Sequence, residues 1–170
     1  LCFSGSRRNY VESDFADASD LYGRSKWLGE VNYPHALTIR TSIIGHELVG
    51  CQGLLEWFLA QKEQCKGYTK AIFSGLPTSV LAKLICEKVL PNRGLSGVYH
   101  VSSAPISKYN LLKLIASEYG KEIEIIPCED VVIDRSLNSA RFSKVAKWVA
   151  PSWESMIKEM HTDKVQYVQK

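Results

Sequence analysis

The chain opens on three apolar residues, Leu1-Cys2-Phe3, that break at Ser4-Gly5, and this reads as the tail of a buried strand with neither a methionine nor a cap ahead of it. Further sequence is expected upstream of Leu1. Polar residues dominate from Ser6 to Ser19 and predict a loop. A helix is predicted from about Leu21 to Val31, with Asp20 as N-cap and Tyr33-Pro34 closing it. His35 to Thr41 reads as a short strand stopped by Gly45. Leu54, Leu55, Trp57, Phe58 and Leu59 predict a helix after Gly53 that reaches Cys65, and Ala71 to Phe73 predicts a short strand.

Pro77 stands where a first helical turn tolerates proline, and Val80, Leu81, Leu84, Ile85 and Val89 recur at helical spacing up to Pro91. Gly97 to Ser102 predicts a strand. Ser107 is the expected cap of a helix with Leu111, Leu112, Leu114 and Ile115 as its buried stripe and Gly120 as its left-handed stop. Glu122 to Ile126 predicts a strand ahead of Pro127. Two short helices, Asn138 to Val149 and Ser152 to Met160, are expected at the end. Strand and helix alternate through most of the chain, which predicts an α/β fold with a parallel sheet, and the irregular last third predicts a smaller second lobe.

Composition narrows the function classes. The net charge of +3 comes from basic and acidic residues spread along the sequence without a basic block, so nucleic acid is not an expected partner. The apolar runs are far shorter than the roughly 20 residues that cross a bilayer, so no membrane partner is expected and a cytoplasmic location is the default. Cys2, Cys51, Cys65, Cys86 and Cys128 are scattered without a C-x-x-C pair and read as reduced and mostly structural. His35, His46, His100 and His161 are equally dispersed, and no metal site is expected.

The candidate chemistry lies at Tyr22 and Lys26. Four residues apart on the predicted helix, they emerge on one face one turn from each other. An ammonium beside a phenol favours the phenolate, so such a tyrosine can exchange a proton near neutral pH, while the lysine's three donors suit vicinal hydroxyls such as those of a ribose. The spacing alone proves little. Chance predicts roughly 0.7 such pairs in a chain of this composition, and Tyr109 with Lys113 is a second one, on a helix that reads as a packing element.

Context separates the two pairs. The stretch Tyr22-Gly-Arg-Ser-Lys26-Trp-Leu-Gly-Glu30 follows Phe3-Ser4-Gly5 and Tyr10-Val-Glu-Ser-Asp14, and precedes Leu37-Thr-Ile-Arg40-Thr41. In this order and spacing the segment resembles extended short-chain dehydrogenases/reductases, and within them reductases of the dTDP-4-dehydrorhamnose reductase kind. Gly97-Val-Tyr-His-Val-Ser102, Ile106-Ser-Lys-Tyr-Asn-Leu-Leu112, Asp134-Arg-Ser-Leu-Asn138 and Pro151-Ser-Trp153 look like the same family, so the resemblance covers nearly the whole chain.

What the resemblance implies is specific. The fold would be the C-terminal half of a Rossmann-type parallel sheet with helices, residues 1-46 and 72-102, plus a small α/β substrate-binding lobe, residues 47-71 and 103-170. The cofactor would be NADP or NAD, and the substrate a 4-keto nucleotide sugar reduced in deoxysugar or polysaccharide biosynthesis. Tyr22 would be the proton donor, with Lys26 binding the nicotinamide ribose and tuning the tyrosine; Thr41, Ser42 and Ile43 would lie beside the nicotinamide, and Arg135 would reach the substrate diphosphate. Relatives often have Pro after that Arg, where this chain has Ser136. The family's third catalytic residue, a Ser or Thr, and its glycine-rich phosphate turn have no counterpart in the sequence and are expected upstream of Leu1. The 170 residues alone are therefore expected to be inactive. An epimerase or dehydratase of the same family, a non-catalytic regulatory nucleotide-binding subunit, and a homodimer formed through an exposed sheet edge are the alternatives that stay open.

Overall fold

Residues 1–50 and 52–168 are described by the structure, a computed structural model, with side chains described to residue 163; Cys51 lies outside them. In chain order the first half holds α1 (Leu21–Leu28), β1 (Leu37–Arg40), β2 (Ile43–Ile44), α2 (Leu54–Ala60), β3 (Gln64–Tyr68), β4 (Ala71–Phe73), β5 (Leu76–Pro77) and α3 (Thr78–Leu84). The second half holds β6 (Gly97–His100), β7 (Ile106–Ser107), α4 (Lys108–Glu118), β8 (Glu124–Cys128), β9 (Ile133–Asp134), α5 (Ala140–Ala146) and α6 (Trp153–Val168). The α/β class expected from the sequence is what is found. Among the described residues, four of the five strand pairings are parallel: β1 with β6, β2 with β5, β3 with β8 and β4 with β9; β4 also pairs antiparallel with β7.

Several boundaries differ from the sequence reading, each for an identifiable reason. Cys2 and Phe3 are buried and Leu1 partly so, but the segment is not a strand; the Cys2 carbonyl accepts the Ala18 amide and the Ser4 amide donates to Asp17, so it is tied to the loop that follows it. Helix α1 stops at Leu28 rather than Val31. Beyond Gly29 the Glu30 carboxylate is drawn to Arg40, and both backbone groups of Val31 bond the Thr38 hydroxyl.

Helix α2 ends at Ala60 because the Lys121 ammonium, donating to the carbonyls of Leu59 and Gln61, caps it from a distant part of the chain. The residues after it then alternate, Cys65 and Gly67 inward and their neighbours outward, and form β3 where helix was expected. Strand β8 runs through Pro127 instead of stopping before it, which a strand with a single partner tolerates. Helix α3 continues into a π-helical turn, Ile85–Val89, closed by the Leu90 amide on the Ile85 carbonyl. Helix α6 is longer than predicted, reaching Val168.

Two cores hold the chain. The larger gathers Leu55, Phe58, Leu84, Leu111, Ile115 and Met156, among others, between α2, α3, α4 and α6. The smaller is Cys2, Phe3, Tyr10 and Leu137. It turns the predicted polar loop into a fixed element: Tyr10 is fully buried, stacks on Phe3 with centroids 4.2 Å apart, and its hydroxyl accepts the amides of Gly5 and Arg7. Among the described residues no helix is long and apolar enough to cross a membrane, and no group of three or more metal-ligating side chains occurs. His46 and His161, apart in sequence, do converge on Tyr119, His46 at its hydroxyl and His161 stacked on its ring.

Candidate active site

Helix α1 carries the Tyr22 and Lys26 pair, and its N-terminus is set by two devices. The Asp20 carboxylate accepts the Gly23 amide at 2.7 Å. That amide bond, followed by the charge of Arg135, holds the Asp20 carboxyl below its ordinary value, so the cap is ionised. Gly23 itself is the buried residue of the helix; a Cβ there would stand 2.4 Å from Ala18 Cβ and 3.1 Å from the Leu1 carbonyl. A glycine between the tyrosine and the lysine thus lets α1 press onto the start of the chain, which leaves the opposite face outward. Tyr22 is 63% exposed, and the Lys26 Nζ lies 5.3 Å from the centre of its ring.

Tyr109 and Lys113 on α4 have nearly the same internal geometry, with Nζ 5.5 Å from the ring centre. Their surroundings differ. Tyr109 packs over Gly67 of β3, close enough that a Cβ on that glycine would meet its ring at 2.8 Å. The Tyr109 ring is half-buried against β3, whereas Tyr22 is largely exposed.

Arg135 reaches the same neighbourhood from the far end of the chain. Its Nε donates to the Ser4 carbonyl at 3.3 Å, and its stem lies against Gly5, where φ is +86° and a Cβ would sit 2.9 Å from Arg135 Cγ. The residue after it stands where the resemblance led to an expected proline. Ser136 is buried; its amide donates to Asp134, its hydroxyl accepts the Asn9 amide and its carbonyl accepts the Tyr10 amide. Proline would supply neither the amide nor the hydroxyl.

Thr41, Ser42 and Ile43 follow β1 and are tied to a different neighbour. The Ser42 carbonyl accepts both the Thr41 hydroxyl and the Leu76 amide, and Gly75 approaches so closely that a Cβ would be 2.3 Å from that oxygen. Ile43 is 59% exposed. The structure thus keeps Tyr22 and Lys26 together on α1, places Arg135 against Ser4 and Gly5, and sets Thr41 to Ile43 beside the β2–β5 pair.

One buried network escaped the sequence reading. Arg40, on β1, makes a two-pronged ion pair with Glu30 at 2.7 and 2.8 Å, lies over the Phe3 ring, and contacts His100 Nε2 at 3.2 Å. His100 is fully buried, and its Nδ1 lies 2.9 Å from the Tyr10 carbonyl. A carbonyl cannot donate and a guanidinium cannot accept, so Nδ1 carries the proton and Nε2 accepts from Arg40. The imidazole is neutral. Burial, the largest influence, holds His100 below its ordinary pKa, and the nearby Arg40 charge adds to this. The Glu12 carboxylate accepts the His100 amide, completing the lacing of the first loop to β6. The one sequence signal was a charged Arg40 between strand residues; its partners lie in elements with no shared motif.

No protein-family model matches the chain, and no curated protein sequence matches it. Solved structures do. The structure of dTDP-4-dehydrorhamnose reductase from Bacillus anthracis in complex with NADP superposes with a TM-score of 0.80 at 21% identity, over 95% of this chain and 62% of that one. A hypothetical dTDP-4-dehydrorhamnose reductase from Sulfolobus tokodaii gives 0.74 at 26% identity, over 91% and 59%. UDP-N-acetylglucosamine 4-epimerase from Bacillus cereus gives 0.70 at 14% identity, over 94% and 60%. The chain spans about 60% of the length of the structures it matches. Over that span it has the Rossmann-type α/β fold of dTDP-4-dehydrorhamnose reductases, a fold it shares with nucleotide-sugar epimerases and dehydratases.

Proposed function

We propose that the protein containing this chain is an NAD(P)H-dependent reductase of a 4-keto nucleotide sugar. The observation that carries the reading is the Tyr22 and Lys26 pair, held on a capped helix with the phenol facing outward. In this reading residues 1-46 and 72-102 belong to the dinucleotide-binding domain and residues 47-71 and 103-170 to the substrate-binding lobe.

The residues present fit the nicotinamide-ribose end of such a cofactor. Lys26 offers an exposed ammonium to a pair of ribose hydroxyls beside an exposed phenol, and Thr41, Ser42 and Ile43 would flank the nicotinamide ring. When bound, the reduced cofactor supplies a hydride to the carbonyl carbon of the sugar. Tyr22 then gives its phenolic proton to the carbonyl oxygen, closing the new hydroxyl, and the Lys26 ammonium stabilises the phenolate left behind. Arg135 holds the substrate by its diphosphate, where a guanidinium fork matches two phosphate oxygens.

Replacing Tyr22 by Phe in the full-length protein is expected to lower NAD(P)H oxidation with a 4-keto nucleotide sugar by about 10²- to 10⁴-fold while leaving cofactor affinity nearly unchanged. Unchanged turnover would remove the proposal. The likeness to a UDP-N-acetylglucosamine 4-epimerase keeps a second reading, an enzyme that regenerates its own cofactor. Net consumption of added NADPH separates reduction from epimerisation.

A further inference from the structure

Among the described residues, one buried side-chain oxygen has no hydrogen-bond partner: the hydroxyl of Ser79, in the first turn of α3. A buried hydroxyl is costly unless something bonds it, so one left without a partner marks a place where a ligand can supply the bond. Ser79 lines a cavity of about 580 Å³, within the range of about 300–1,000 Å³ usual for small-molecule sites. The walls come from the segment after β2, from α2, from the start of α3 and from α6.

The charge around this cavity is one-sided. Glu47, Glu56 and Asp163 line it from three separate parts of the chain, and no lysine or arginine lines it among the described residues. The same negative field reaches the neighbouring Tyr119. Burial first, then the charges of Glu56, Glu118 and Asp163, push that phenol above its ordinary value. Ala82 and Met160 give the cavity an apolar side.

What the acidic groups already bond decides which cation fits. Glu47 gives one oxygen to the Gly53 amide and the other to the Gln52 amide. Glu56 gives one oxygen to His46 Nδ1 at 2.6 Å, and His46 Nε2 is in turn engaged by the Tyr119 hydroxyl at 2.9 Å. A magnesium or calcium ion wants about six or more oxygen ligands, and no group of three or more metal-ligating side chains occurs among the described residues. An ammonium is satisfied by three acceptors. The cavity offers it the Glu56 oxygen that His46 leaves, the Asp163 carboxylate and the Ser79 hydroxyl.

We infer that this cavity binds a protonated primary amine on a frame of monosaccharide size, the ammonium held by Glu56, Asp163 and Ser79 and the carbon frame lying against Ala82 and Met160. The inference stands without the reductase reading: the amine can belong to a free small molecule or to the sugar of a nucleotide sugar, and the test separates the two. In saturation-transfer NMR titrations of the full-length protein at pH 6.5, D-glucosamine is expected to bind at least tenfold more tightly than D-glucose, which has the same frame without the charge. Glu56→Gln keeps an oxygen for His46 and removes the charge, and is expected to weaken glucosamine at least fivefold while leaving glucose unchanged. Ser79→Ala removes a hydroxyl that bonds nothing in the free protein. It is expected to weaken glucosamine at least threefold while the ligand-free Tm stays at or above that of the parent, whereas a merely structural serine would lower Tm and leave binding alone. Should Glu56→Gln lose its cooperative melt, Ser79→Ala alone decides. Glucosamine binding no better than glucose, or with an affinity that survives these substitutions, overturns the inference, as does a lower ligand-free Tm in Ser79→Ala. Repeating the titration with UDP-glucose and NADP saturating identifies the source. Displacement of glucosamine would assign the ammonium to the sugar of a nucleotide sugar, with UDP-glucosamine then binding more tightly than UDP-glucose; undiminished glucosamine binding would assign it to a free amine.

Discussion

His100 shows how a single buried side chain can set the acid limit of a fold. Its neutral state follows from its two partners, and burial keeps its pKa below the ordinary 6.5. The unfolded chain takes up the proton near pH 6.5 and the native chain resists it, so the unfolded state binds more protons in that window. Its contribution to stability is therefore full above about pH 6.5 and is lost as the pH falls from there toward the depressed folded value. Thermal melts from pH 8 to 5.5 are expected to show a steeper fall in Tm for the parent than for His100→Gln, with the variant less stable at pH 8. Parallel slopes would show that His100 does not carry the dependence. None of this was legible in the sequence, where His100 was one of four scattered histidines. Its significance comes from Tyr10 and Arg40, 90 and 60 residues away in sequence.

At the scale of elements, helix α1 is nearly free of the core: Gly23 is its buried residue, and Leu21 and Leu28 are largely exposed. Its stability therefore depends on its end more than on packing. The Asp20 carboxyl, lowered by the Gly23 amide and then by Arg135, caps it when ionised, so the cap is present above the ordinary carboxylate value of about 3.8 and is lost as the pH falls through the depressed one. Amide exchange at Gly23 is expected to quicken several-fold in Asp20→Ala with the rest of the protein unchanged, and Asp20→Asn should restore protection. Uniform exchange rates in all three would place the stability of α1 elsewhere. This cap was readable because capping is local: Asp20, Tyr22 and Lys26 lie within seven residues, and Ser107 stands directly before α4. The end of α2 was not readable, because the ammonium that caps it belongs to Lys121, 60 residues later.

For the molecule as a whole, the two cores divide stability from placement. Phe58 is fully buried in the larger one, and Phe58→Ala is expected to cost about 3–5 kcal/mol and lower the global melting transition. The smaller core fixes where Arg135, Gly5 and the first loop stand relative to Tyr22, so the sequence could name the candidate residues but not show which share a surface. It supplied Tyr22, Lys26 and Arg135 from family-like stretches. It left the contact of Arg40 with His100 unremarked, because two strands 60 residues apart have no common period.

The lacing of Tyr10 has a consequence measured in time. Its carbonyl is held by His100 and the Asn138 amide, and its own amide by Ser136, so these partners leave the ribosome roughly 90 to 130 residues after it does. At synthesis rates of about 5–20 residues per second that is a delay of about 5–25 s. Through that interval Phe3 and Tyr10 lack the neighbours that bury them. The loop leading to the candidate tyrosine is thus made well before the partners that hold it in place.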